Sequence, residues 1–189
     1  MSMKLLILGL LMECNRHPYE IRQTIKARNW HHTFKLRDGS LYYAIDQMRQ
    51  DSLIEAMEVI PATGTNRPDK TVYGITDKGK SVFLELLYDQ MQLDYYPQHP
   101  MFMALPFARH ADSLRLEEII AEQLVACRTR IARIEGVLDL KSDWLPRGAV
   151  RMIQGILRLS VAERDWLIEL LEDAKSGELI DPGRVPKPQ

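Results

Sequence analysis

The chain has 189 residues, 46% of them hydrophobic and 27% charged, with a formal net charge of −1. That composition suits one medium domain or two small ones with ordinary cores, and it excludes a disordered, fibrous or disulfide-stapled class. Cys14 and Cys127 stand far apart and outside any ligand spacing, which argues against a zinc site and fits a reducing, cytoplasmic compartment.

The apolar run from Met3 to Met12 with Lys4 ahead of it imitates a secretion signal. It is too short to span a bilayer, lacks a small-residue cleavage site and continues into Glu13, Cys14, Asn15 and Arg16, so it reads as a buried first helix ending near Cys14. Pro18 suits the first turn of a second helix, Tyr19 to Asn29, with Ile21 and Ile25 as its inward stripe. After a loop from Trp30 to Asp38, a third helix starts at about Ser40, its cap supplied by Asp38, Gly39 or Ser40. Leu41, Ala44, Ile45 and Met48 form its apolar stripe. Its other side shows Ser40, Tyr43, Gln47 and Gln50, with Tyr42 and Asp46 at the margin. A face rich in Tyr, Ser and Gln, preceded by Lys35 and Arg37, suits base edges and phosphates; the plainer reading is a half-buried surface helix.

Two strand-like segments follow, Glu55 to Ile60 and Thr71 to Ile75, separated by a loop from Pro61 to Lys70 that no helix would tolerate. They predict a small β-wing. Thr76 then caps a helix running from Asp77 to about Leu93. Helix, turn, helix and wing predict a winged helix-turn-helix domain over residues 1–93.

Residues 94–112 read as a linker rich in aromatic residues and proline, in which Pro97, Pro100 and Pro106 oppose regular helix. A long helix from Ser113 to about Leu140 places Ile120, Leu124, Cys127, Ile131, Ile134 and Leu138 at alternating spacings of four and three, the seam of a coiled coil. A last helix, about Ala149 to Lys175, carries Leu157, Ile168 and Leu171 on its stripe and ends at Gly177. Residues 113–176 are therefore expected to form a helical dimerisation domain, and residues 177–189 a tail. Two such seams exceed what one pair of helices can bury on each other, which calls for a partner subunit related by twofold symmetry; the alternative is an intrachain bundle with the first domain.

Charge divides unevenly. Residues 1–80 hold 12 Lys/Arg against 9 Asp/Glu, and residues 81–189 hold 13 against 17. Between Arg16 and Arg37 lie Arg16, Arg22, Lys26, Arg28, Lys35 and Arg37 with Glu20 as the one acid, a candidate phosphate footprint. Nothing resembles a metal-ligand spacing, a Gly-rich phosphate loop or a nucleophile elbow, so no cofactor or metal is expected and catalysis is not the reading.

The run Leu5-Leu6-Ile7-Leu8-Gly9-Leu10-Leu11, then His17-Pro18-Tyr19-Glu20-Ile21, Gly39-Ser40-Leu41-Tyr42-Tyr43 and Leu53-Ile54-Glu55, resembles the PadR-type winged-helix transcriptional regulators. Arg67-Pro68-Asp69-Lys70, Tyr73, Thr76 and Gly79 continue the likeness. The resemblance implies a mainly α fold with a small β-wing and a two-helix dimerisation arm. It also implies a homodimer on operator DNA with dyad symmetry, usually a repressor that lets go when a small molecule or another signal arrives. By position it implies that Tyr19 and Lys35 approach phosphates, that Ser40, Tyr42 and Tyr43 lie on the recognition helix, and that Arg67 and Lys70 arm the wing. Three positions depart from the family's usual pattern. Pro18 replaces a glycine, Tyr43 stands where proline is common, and Asp46-Gln47 occupies a pair that is often basic.

The DNA-contacting set expected from residues and resemblance together is Tyr19, Lys35, Arg37, Ser40, Tyr42, Tyr43, Gln47, Arg67 and Lys70. An apolar or aromatic effector is expected among Tyr96, Phe102, Phe107, Trp144 and Trp166, soft and stacked groups that line many small-molecule pockets; the alternative is that these residues only pack the linker. A protein-binding adaptor without specific DNA binding is the other functional reading, supported by the scarcity of Lys on the third helix.

Overall fold

Helix α1, Met3–Glu13, buries Ile7, Leu8, Leu10 and Leu11, because it is apolar nearly all round and the rest of the first unit packs about it. In this computed structural model, residues 3–30, 34, 39–60, 70–181 and 183 are described. The chain divides into two compact units, Met1–Tyr96 and Pro97–Gln189.

In the first unit α2, Pro18–Ala27, and α3, Gly39–Gln50, follow α1. Ile21, Ile25, Leu41, Ile45, Met48, Leu53 and Ile54 join its core, and burying each such side chain is worth about 1.5–3 kcal/mol. Strands β1, Ile54–Ile60, and β2, Lys70–Ile75, pair antiparallel from Ile54↔Ile75 to Ile60↔Lys70, with a bulge at Met57. Met57 folds over Gly74, where an added Cβ would sit 2.7 Å from Met57 Cγ. Arg16 pairs with Tyr73 by backbone hydrogen bonds of 3.0 Å in both directions, so the α1–α2 connection acts as a third, one-residue strand.

Helix α4, Asp77–Gln92, is capped by Thr76, whose hydroxyl accepts from Gly79 N–H at 3.0 Å and donates to Ser52 O at 2.8 Å. A side chain at Gly79 would lie 2.1 Å from Leu53 O, so only glycine lets the first turn of α4 meet the end of α3. Lys78 Nζ also donates to Asp51 O. These bonds fix the turn that terminates α3, where Ser52 takes φ of 57°.

The second unit opens with α5, Pro100–Ala104, and a 3-10 turn, Leu105–His110, where the sequence points to an aromatic, proline-rich linker without regular helix. Proline opposes a helix interior but fits its first turn. Pro100 and Pro106 both stand there, and His99 caps α5 by accepting from Met101 N–H at 3.2 Å. Met101 and Leu105 pack into the core of this unit. The long helices are α6, Ser113–Lys141, and α7, Arg147–Ser176. They run antiparallel as a hairpin, with Ser113 bonded to Ala174 O near the open end and Arg130 bonded to Glu163 further in. Asp112 caps α6, Gly177 ends α7 at φ of 82°, and a short 3-10 turn, Glu178–Ile180, follows.

Candidate functional site

Three elements of the first unit converge on one groove. His17 and Pro18 at the start of α2, Tyr42, Ile45 and Asp46 on α3, and Thr71 and Tyr73 on β2 line an open space of about 220 Å³. The α3 stripe of Leu41, Ile45 and Met48 is buried, which leaves the helix's other side outward. Ser40, Tyr42 and Tyr43 are exposed, Tyr43 at 69%, and Gln47 is half-buried with its amide donating to Gln50 Oε1 at 3.3 Å. Tyr19 projects from the first turn of α2 and Lys70 from the start of β2, both exposed. Phenols, hydroxyls and an amide on one outward helix face, beside a helix N-terminus, can pair with hydrogen-bonding edges and anionic oxygens. Lys35, Arg37 and Arg67 lie outside the described residues, as does the expected cap Asp38.

Sequence reading missed His17. Its ring Nδ1 accepts from Tyr19 N–H at 3.2 Å while the His17 backbone N–H donates to Glu20 Oε2 at 2.9 Å, a reciprocal capping box. The signal was the His17/Glu20 spacing, the pattern of such a box with histidine in place of the usual hydroxyl. The same His-Pro pairing caps α5 at His99-Pro100.

The basic cluster between Arg16 and Arg37 is not one phosphate footprint. Glu13 accepts from Arg28 at 2.7 and 2.8 Å and from Arg16 at 2.9 Å. Arg16 also reaches Leu10 O and Thr24 Oγ1, and Arg28 lies over the Trp30 ring, 4.9 Å from its centre. The hydrogen bonds from Arg28 hold the Glu13 carboxyl below the usual carboxylate range. Two of the six cations therefore brace α1, α2 and the sheet. Arg22 is half-buried on α2, and Lys26 is exposed.

In the arm, the seam residues Ile120, Leu124, Cys127 and Ile131 are buried against Leu167, Leu170 and Ala174 of the same chain. Their expected role in pairing two subunits is thus corrected: inside the protomer they already have a partner. Ile134, Leu138, Leu157, Ile168 and Leu171 are half-buried. The expected ligand cluster is divided as well. Phe102 and Trp166 meet edge to face with ring centres 5.3 Å apart, and His99 joins them at 5.7 and 5.0 Å. Trp144 is 87% exposed at the hairpin turn, and a rise of about 1.5 Å per residue puts Trp166 roughly 30 Å further along the arm. Phe107 is exposed, and Tyr96 is exposed in the first unit.

Among the described residues, no helix is long and apolar enough to cross a membrane, and no group of three or more His, Cys, Asp or Glu could hold a metal ion.

Residues 7–85 match the family model described as the transcriptional regulator PadR-like family. No curated protein sequence matches the chain. Among solved structures, PadR of Bacillus subtilis in complex with operator DNA aligns with a TM-score of 0.74 at 15% identity, covering 90% of this chain and 98% of that one. The same protein has also been solved with p-coumaric acid. The protein smu.1604c of Streptococcus mutans UA159 aligns at 0.71 with 26% identity, covering 91% and 99%. The virulence activator AphA of Vibrio cholerae aligns at 0.70 with 18% identity, covering 93% and 99%. The alignments below 25% identity establish the fold, a winged helix followed by a helical arm.

Proposed function

We propose that this chain, a PadR-like transcriptional regulator, binds operator DNA of dyad symmetry as a cytoplasmic homodimer and represses transcription until an aromatic or apolar small molecule releases it. The observation that carries the proposal is the outward face of α3, with Ser40, Tyr42 and Tyr43 exposed beside the N-terminus of α2. In this reading α3 enters the major groove. Tyr43 and Gln47 meet base edges, and Tyr19, Lys35 and Arg37 meet phosphates, with Arg67 and Lys70 holding the wing to the backbone. Twofold symmetry then places two half-sites about 34 Å apart, or a multiple of it. The complex of Bacillus subtilis PadR with operator DNA supports the DNA partner, and its complex with p-coumaric acid supports the effector class.

His99, Phe102 and Trp166 form the cluster that best suits the effector. A flat ring could replace one of the edge contacts and change how α5 sits on α7, and regulation then needs different affinities for the two arrangements, typically about 1–3 kcal/mol.

Fluorescence anisotropy on the DNA upstream of its own gene tests the first part. Binding that resists competition by random duplex supports the proposal. Equal affinity for both sequences would leave the adaptor reading in its place. Quenching of Trp166 by phenolic acids, with a matching loss of operator affinity, tests the second.

A further inference from the structure

Asp46 puts a negative charge on a helix face otherwise built of neutral donors and acceptors. At about 100° per residue, Tyr43 and Gln50 stand opposite the buried stripe of Leu41, Ile45 and Met48, and Asp46 and Gln47 flank them at about 50° on either side. Asp46 is therefore no nearer the margin than Gln47, and it is the exposed one of the two. It also lines the groove between α2, α3 and β2. Arg49, the other charged residue of α3, lies closer to the buried stripe.

Among the described residues Asp46 makes no hydrogen bond or ion pair, with Arg49 or any other group. Other acids of the same unit are engaged. Glu13 holds Arg28, Glu20 closes the α2 cap, Asp51 meets Lys4 and Asp77 meets Lys80. On a helix that enters DNA, a carboxylate left without a partner is repelled by the phosphates, each of which carries a negative charge. One base edge in the major groove offsets that repulsion. Cytosine presents its N4 amino group there as a donor, whereas thymine presents the acceptor O4, guanine the acceptors O6 and N7, and adenine the acceptor N7 beside its amino group. A carboxylate has two oxygens that accept and nothing to donate, so it suits cytosine and is opposed by the acceptors of the other three bases.

We propose that Asp46 selects cytosine at one position of each operator half-site by accepting from the N4 amino group. At other bases, and on random duplex, its charge stays unpaired against acceptors and phosphates, so it discriminates by repulsion as well as by attraction. This inference rests on the operator-binding reading above and adds a base to it. Selectivity then comes at the expense of overall affinity: removing the charge tightens binding to random DNA while it loosens the choice of base. The other role that Asp46 can fill is a favourable interaction with the N-terminus of α2 across the groove. That role acts on stability and on every duplex alike, and it changes no base preference.

The full-length parent, Asp46→Asn and Asp46→Ala are each used to select from a randomised duplex library, with anisotropy titrations at one fixed salt concentration and circular dichroism as the check on folding. The parent should select cytosine at symmetric positions of the two half-sites. Asp46→Asn should exchange that cytosine for adenine, whose N6 and N7 suit an amide, and Asp46→Ala should lose the preference there by about fivefold or more. Both variants should bind random duplex at least about twofold more tightly than the parent, because a charge facing the phosphates is gone. An unchanged preference at every position, or weaker binding to all duplexes with an altered melting curve, overturns the proposal and leaves Asp46 as a partner of the α2 N-terminus. A parent that selects no sequence overturns the operator-binding reading itself. Should the variants fail to fold, the parent decides. Changing a selected cytosine to thymine exchanges the N4 donor for the O4 acceptor, which should cost about fivefold or more at the position that Asp46 reads. An operator in which no such change costs more than about twofold overturns the proposal.

Discussion

Glu13 at the end of α1 grips Arg28 beyond α2 through both carboxylate oxygens, at 2.7 and 2.8 Å. The pairing makes the first unit's stability depend on pH. Because Arg28 lowers the Glu13 pKa from 4.5, the stabilisation is present above that value and is lost as the pH falls through the depressed one. Glu13 is 43% exposed, so screening keeps the effect at or below about 1 kcal/mol. Urea unfolding of Glu13→Gln should show a small loss at neutral pH and convergence with the parent in acid. A difference that persists at low pH would mean that the carboxylate charge is not its source.

On the DNA face, Tyr43→Ala or Gln47→Ala should relax discrimination at one or two base pairs by about 1–3 kcal/mol. Lys70→Ala should weaken operator and random duplex alike and reduce the salt slope by about 1. Anisotropy titrations at several salt concentrations separate the two classes, and equal losses on both DNAs for all three variants would contradict these roles.

Arg130 of α6 joins α7 at Glu163, and its Nε donates to the buried Ser160 hydroxyl at 3.1 Å. A double-mutant cycle with Arg130→Ala and Glu163→Ala, read by thermal or urea unfolding, should give a coupling of about 1–3 kcal/mol. A coupling near zero would show the pair to be incidental to the hairpin.

Ile131→Asp would place a charge in the contact between α6 and α7, where Ile131 is 6% exposed. The cost should be about 3–5 kcal/mol, that of a buried ion without a partner. It should appear as lost arm stability even at concentrations too low for dimers, as read by circular dichroism. A variant that keeps the parental melting curve and only dissociates would return Ile131 to the subunit interface.

The two thiols should differ in reactivity. Cys14 is exposed, whereas Cys127 is buried, donates to Ser160 O at 3.3 Å, and has its thiol pKa pushed up by that burial. Thiolate is the reactive form. A disulfide reagent at neutral pH should therefore titrate one thiol promptly and the second only on unfolding. Two fast thiols would show that the hairpin opens readily.

Apart from α5 and the 3-10 turns, the order of elements was legible from the chain alone because it is written in local signals. The apolar run of Met3 to Met12, the stripe Leu41-Ile45-Met48, the cap at Thr76 and the stop at Gly177 each act within a turn or two of backbone. Which side of a side chain's ambiguity wins was decided only by packing. Arg16 and Arg28 looked like phosphate ligands until folding brought Glu13 between them. Ile120, Leu124, Cys127 and Ile131 carry a pairing pattern that is the same for a helix in the same chain and for one in another, and the short turn after Lys141 gave the seam to α7 because a tethered neighbour is always at hand. Trp144 and Trp166 could share a pocket in one dimension, but a continuous α7 holds them apart. Periodicity records that a face must be covered; only the three-dimensional path of the chain determines what covers it.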